Sequence, residues 1–198
     1  MNQFVETIRV VDGKYHHLNA HIERMQRTAF YFFRTLPVVS EHQLIIPSRY
    51  RKGLVKCRMV YAESIRLIEF QLYRPRQINS LQIVRNGTID YSHKSTNREK
   101  IDQLFSLRRQ CDEIIIVKNG LVTDSSFSNF VFENEEGLFT PTSFLLKGIQ
   151  RDYLLSSNRI KERVIREEDM NQYSRVHLIN AMLEPGDCVV DTSGIVSI

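Results

Sequence analysis

A chain of 198 residues, 42% hydrophobic and 25% charged, has the proportions of one or two compact domains and excludes extended disorder. No run reaches the roughly 18 apolar residues of a membrane span. The opening MNQFVETIRV lacks the basic and apolar regions of an export signal, so a cytoplasmic protein without membrane contact is expected. The net charge of +4 comes from 27 basic and 23 acidic side chains interspersed along the chain. With no basic strand interleaved with aromatics, nucleic acid is not an expected partner, whereas small anionic molecules are.

The cysteines Cys57, Cys111 and Cys188 are far apart, odd in number and never spaced as Cys-x-x-Cys. This disfavours a disulfide framework and a zinc site, and the three read as small buried hydrophobes. Arg49, Arg51 and Lys52, the densest basic cluster, read as a solvated loop face.

In chain order, FVETIRVVDGKYHHL has two β-prone stretches around Asp12-Gly13, which predicts a hairpin. Ile22, Met25, Ala29, Phe32, Phe33 and Leu36 follow at helical spacing, predicting an amphipathic helix over 19–36 with Asn19 as its N-cap. Strands over 55–61 and 64–73 complete a first unit, and RPRQINS, residues 74–80, breaks the periodicity as a linker. The second unit opens with the strand SLQIVRNG. A helix carrying Ile101, Leu104, Phe105 and Leu107 comes next, with Thr96 and Glu99 at capping-box spacing. EIIIVKNGLVTD and NFVFENEEGLFTP predict antiparallel pieces turning at Asn119-Gly120 and Glu136-Gly137, and KGIQRDYLLSSN predicts a helix opening at Gly148. The remainder reads as short strands and turns, without internal repeats.

Four features have the chemistry of a site, each with a plainer alternative. Lys94, beside His93 just upstream of a helix start, is placed to become a nucleophile if desolvation or a neighbouring positive charge lowers its pKa; taken alone, a surface lysine is the simpler reading. Asp124 and the hydroxyls of LVTDSSFSNFVF lie between two β-prone runs, where loop residues point into clefts, although turns commonly hold aspartate. Gly148, Ile149 and Gln150 stand at a helix N-terminus, which favours a phosphate, although most helix starts bind nothing. Arg24 leaves the apolar stripe of its helix, as a phosphate clamp or as an ordinary solvated arginine.

Order and spacing join these features. VVDGKYHHLNAHIERMQ resembles the G-x-x-x-x-L-x-x-H-x-x-R-M/L stretch of the class IV pyridoxal-phosphate enzymes, the family of branched-chain and D-amino acid aminotransferases and aminodeoxychorismate lyase. HKSTNR is similar to their K-x-x-N-R segment, and HLINAMLEPGDCVV to the segment whose Asn-Ala backbone closes on the phosphate. The most specific likeness is LVTDSSFSNFVFENEEGLFTPTSFLLKGIQRDYLL to E-x-x-x-x-N-x-F … G-x-L-x-T-P … L-x-G-I-x-R, with Asn129, Thr140, Pro141, Leu146, Gly148, Ile149 and Arg151 in register and Gly137 one place along from the motif's glycine. The resemblance covers most of the chain and is strongest over about 90–155.

The resemblance implies a two-domain α+β fold: a small α/β domain over 1–76, shortened relative to the family, and a larger β-rich cofactor domain over 77–198. It implies pyridoxal 5′-phosphate carried as a Schiff base on Lys94, which is also the catalytic acid and base. It assigns the cofactor phosphate to Arg24, Gly148, Ile149, Gln150, Asn180 and Ala181, and the ring nitrogen to Asp124. Arg58, Tyr61 and Asn97 fall near the substrate, a small amino compound, and a homodimer is implied. The reaction expected is 4-amino-4-deoxychorismate lysis, the alternatives being class IV transamination and a non-catalytic protein of the same fold. Asp124 departs from the family's glutamate by one methylene, and Gln150 from its threonine or methionine. Tyr61 stands near a point where the family has arginine. Only three residues precede Phe4, where the family adds a strand and a Tyr-Gly loop, so a pocket that is open, completed by a partner subunit or lost is expected.

Overall fold

A computed structural model describes residues 2–197. It is a mixed helix and strand fold whose chain divides into two compact units: Met1–Arg74 with His93–Asn97, and Pro75–Ser92 with Arg98–Ile198.

The first unit contains strands β1 (Phe4–Val11) and β2 (Lys14–Tyr15), helix α1 (Leu18–Phe33), and strands β3 (Leu54–Tyr61) and β4 (Ile65–Leu72). The strands form one antiparallel sheet in the order β2-β1-β3-β4. The β1–β2 hairpin turns at Asp12-Gly13, both at positive φ, 47° and 76°, as a tight turn matched to strand twist requires. Along β1 every second residue is buried: Phe4, Ile8 and Val10 join Met25 and Ala29 of α1 and Val55, Cys57 and Met59 of β3 in one core. The helix begins one residue before Asn19, after His17 in the left-handed conformation, so Asn19 lies in the first turn and is not the cap. It ends at left-handed Arg34, whose N–H donates to the Phe30 carbonyl, and Leu36 beyond it is exposed.

The second unit contains β5 (Leu81–Arg85), α2 (Glu99–Ser106), β6 (Glu113–Lys118), β7 (Leu121–Val122), β8 (Asn129–Asn134), β9 (Gly137–Pro141), α3 (Ile149–Ser156), β10 (Lys161–Arg163), β11 (Arg175–Ile179), β12 (Val189–Asp191) and β13 (Ile195–Val196). One sheet runs β13-β5-β6-β7, with β5 parallel to both β13 and β6, and the other runs β10-β9-β8-β11-β12. Ile114 through Val117 of β6 are all buried, the continuous apolar run of a strand covered on both faces. The capping box expected at Thr96 and Glu99 is not formed: Arg98 precedes α2 without a side-chain capping bond, and the Thr96 hydroxyl donates to the Gln3 carbonyl at 3.1 Å instead. Cys57 and Cys188 are buried, but Cys111 is partly exposed, contrary to the expectation for all three.

Helix α3 is seated by Leu154, which is fully buried with Val131, Ile160 and Ile179. Leu154→Ala is expected to lower unfolding free energy by about 3 kcal/mol. Urea denaturation measures this, and a loss below about 1 kcal/mol would mean that this cluster does not hold the helix.

Candidate active site

In the first unit, β1 places a carboxylate on its core-facing side. Glu6 and His21 are each 1% exposed, and α1 sets His21 and Arg24 one turn apart above the strand. Arg24 donates through Nε to Glu6 Oε1 at 2.9 Å and through NH2 to Oε2 at 2.6 Å, and His21 Nδ1 meets Oε2 at 2.6 Å. Burial opposes the charge of Glu6, but Arg24 beside it and the bonds from His21 and Arg24 prevail and lower its pKa to about 2. Burial also holds the His21 pKa below the ordinary imidazole value, although its bond to Glu6 opposes this. An ionised Glu6 only accepts, so the proton of His21 is on Nδ1.

Lys94 joins this unit through the segment His93–Asn97. The Lys94 carbonyl accepts from Val5 N at 2.9 Å, Ser95 bridges Phe4, and Thr96 N donates to Gln3 O at 2.9 Å. The His93 ring stacks on Tyr31 at 5.2 Å and meets Phe32 edge-on at 4.9 Å. The backbone on either side of Lys94 is thereby held against β1. Its charge is among those that lower the His21 pKa, so Lys94 and the Glu6–Arg24 pair share one electrostatic neighbourhood.

Of the residues expected at the substrate, Arg58 pairs with Glu69 at 3.0 Å, and Asn97 is exposed with its N–H on Ser95 Oγ at 3.0 Å. Tyr61 is fully enclosed in the core beside Phe4, so the position offers a ligand no surface.

In the second unit, the turn between β7 and β8 is built by hydroxyls and two buried carboxylates. Glu113 Oε1 accepts from Ser126 N at 3.1 Å and Oε2 from Ser126 Oγ at 2.9 Å, while Ser125 and Ser128 join Oγ to Oγ at 2.7 Å. Burial pushes the Glu113 pKa up against these bonds. Asp124, also buried, accepts from Asn129 Nδ2 at 2.8 Å and from Leu145 N and Leu146 N at 3.2 and 2.9 Å. Burial outweighs these donors and raises its pKa to about 6.

Gly148 caps α3 in extended conformation. Ile149 and Gln150 behind it are buried, and Gln150 Nε2 has no partner among the described residues. An unpaired buried donor in the first turn of a helix, where backbone N–H groups are also unused, suits a phosphate. Asn180 and Ala181 form a turn in which Asn180 and Leu183 exchange backbone bonds at 3.2 and 3.0 Å, and Asn180 Oδ1 accepts from Met182 N at 2.8 Å. Lys94 and Arg24 thus belong to one unit, and Asp124, Gly148–Gln150 and Asn180–Ala181 to the other. Glu6 and His21 lay outside the sequence-based set, although a glutamate in the buried register of an alternating strand was a readable signal. Among the described residues no group of three or more His, Cys, Asp or Glu is placed to hold a metal, and no helix is long and apolar enough to cross a membrane.

Residues 51–185 match the family model for amino-transferase class IV. The chain belongs to this family. It is thus a pyridoxal-phosphate-dependent enzyme of class IV. An uncharacterised Haemophilus influenzae protein is 34% identical over 185 residues, covering 92% of this chain and 98% of that protein. The crystal structure of a candidate 4-amino-4-deoxychorismate lyase from Haemophilus somnus superposes with a TM-score of 0.81 at 29% identity, over 92% of this chain and 97% of that one. A Mycobacterium tuberculosis hypothetical aminotransferase, solved in its PLP-bound form, shares the fold at a TM-score of 0.74 and 16% identity, over 98% and 81%.

The buried Glu6–Arg24 pair has a measurable consequence. Glu6→Gln leaves Arg24 without its counter-charge and should cost about 3 kcal/mol near neutral pH. Because the folded pKa is depressed, the wild-type advantage is present above the unfolded value of about 4.3 and disappears as pH falls through about 2. Urea midpoints of both proteins across that range test this; a difference that stays constant with pH would contradict it.

Proposed function

We propose that the enzyme is a lyase that converts 4-amino-4-deoxychorismate to 4-aminobenzoate and pyruvate, a step supplying folate synthesis, as a cytoplasmic homodimer. The observation that carries this reading is Lys94, an amine on a backbone clamped to β1 in the same unit as a buried Glu6–Arg24 pair. The choice of lyase is supported by VVDGKYHHLNAHIERMQ, closer to the lyase branch, and by the likeness to the Haemophilus somnus protein.

Bound pyridoxal phosphate would supply an electron sink for the carbon bearing the substrate amine. In the second unit, the first turn of α3 with Gly148, Ile149 and Gln150 and the Asn180–Ala181 turn would hold its phosphate. Asp124 would keep the ring nitrogen protonated, which a carboxylate ionising near pH 6 does best above that pH. Lys94 takes the proton from the carbon next to the amine and delivers it to the departing enolpyruvyl group. Breaking that ether C–O bond leaves an aromatic ring and pyruvate. The same amine returning its proton to the cofactor would give transamination.

Purified protein supplied with cofactor and 4-amino-4-deoxychorismate should release pyruvate and 4-aminobenzoate in equal amounts, and borohydride should fix the cofactor on Lys94. Lys94→Ala should fall to the enzyme-free rate. Conversion of the cofactor to its amine form by an amino acid alone would assign an aminotransferase. No product with either substrate would end the lyase reading.

A further inference from the structure

Asn129 is buried and spends both amide hydrogens: Nδ2 donates to Asp124 Oδ1 at 2.8 Å and to the Leu146 carbonyl at 3.0 Å. Both partners are acceptors, which fixes which end of the amide is nitrogen. The oxygen is left against Gly148, where an added Cβ would overlap Asn129 Oδ1. Gly148 has φ −76° and ψ 135°, values open to any residue, so glycine is needed there for space and not for conformation.

Asp124 Oδ2 is filled by the N–H groups of Leu145 and Leu146. Of about four acceptor directions on a carboxylate, this leaves one on Oδ1, beside the bond from Asn129. The two backbone donors fix Oδ2 but not the plane of the group; the donor on Oδ1 locks that plane. Removing it would also favour the neutral acid, since a buried carboxylate is kept ionised by its donors.

We propose that Asn129 is a positioning residue that orients the Asp124 carboxylate, keeps it ionised and presents its remaining Oδ1 lone pair to a cationic N–H, while Gly148 stays bare to leave Asn129 in place. This rests on the reading of Asp124 as partner of the cofactor's ring nitrogen. It states how a side chain one methylene shorter than the family's glutamate is held for that task. The other charge acting on Asp124 is Arg151, itself bound to the Pro141 carbonyl at 2.8 Å and Glu162 at 2.6 Å. Arg151 is unchanged in every variant below.

Titration of the Asp124 carboxyl carbon by NMR in cofactor-free protein reads the coupling without turnover. Asn129→Ala should raise the midpoint by about one pH unit. Asn129→Asp, which sets a second carboxylate against the first, should raise it further. Gly148→Ala should reproduce the Asn129→Ala shift with Asn129 itself intact, and so carries the same test if Asn129→Ala does not fold. An unchanged midpoint in the folded variants overturns the proposal. In the holoenzyme, Asp124→Asn should shift the visible absorbance and slow turnover, and adding Asn129→Ala to it should cost nothing more. An additional loss in that background would show Asn129 acting on its own and would also overturn the proposal. Asp124→Asn without effect on spectrum or turnover would instead refute the reading of Asp124 and, with it, the use assigned to the lone pair, while the titration still decides the coupling.

Discussion

A carboxylate can stay ionised inside a protein only where donors replace the water it has lost. This chain meets that condition at Glu6, with Arg24 and His21, and balances it more finely at Glu113 and Asp124. Glu6 receives a full positive charge and falls to about 2. Asp124 receives only neutral donors at close range and rises to about 6. The difference lies in the partners and not in the depth, since both are buried.

Each buried carboxylate also ties together pieces of chain that would otherwise be independent. Glu6 joins β1 to α1. Glu113 anchors the serine-rich turn that follows Asp124, and Asp124 binds that turn to the segment leading into α3. Loops ordinarily carry function at the expense of order. Here Asp124 lies on a loop made rigid by its own buried carboxylate and that of Glu113, which is what holding a flat cofactor in one orientation requires.

The sequence made the larger pattern legible because that pattern is local. Alternation in FVETIRVV, the Asp12-Gly13 turn and the apolar run of β6 each follow from neighbours in the chain. What escaped it depends on distant partners. Thr96 has the look of a cap but is taken by Gln3, ninety-three residues away in sequence. His17 and Arg34 take left-handed conformations that their identities do not announce. Tyr61 was placed by its position in a motif, whereas its surroundings make it core. The cofactor residues were named from a resemblance; that Arg24 meets a buried glutamate depends on β1 and α1 lying together, which no spacing rule states.

Gly148 shows how such dependence can masquerade as a local requirement. At a helix start glycine suggests conformational freedom or close approach of a ligand. Its backbone here is ordinary, and the group it accommodates is the Asn129 oxygen. Positions 124, 129 and 148 therefore form one packing unit: the carboxylate needs the amide, and the amide needs the absent methyl. A longer acid at 124 would push against donors fixed by the backbone of Leu145 and Leu146, so its extra methylene would have to be absorbed by moving that segment or by releasing Asn129. The aspartate is thus matched to its surroundings, and its shortness is a property of the whole unit and not of one side chain.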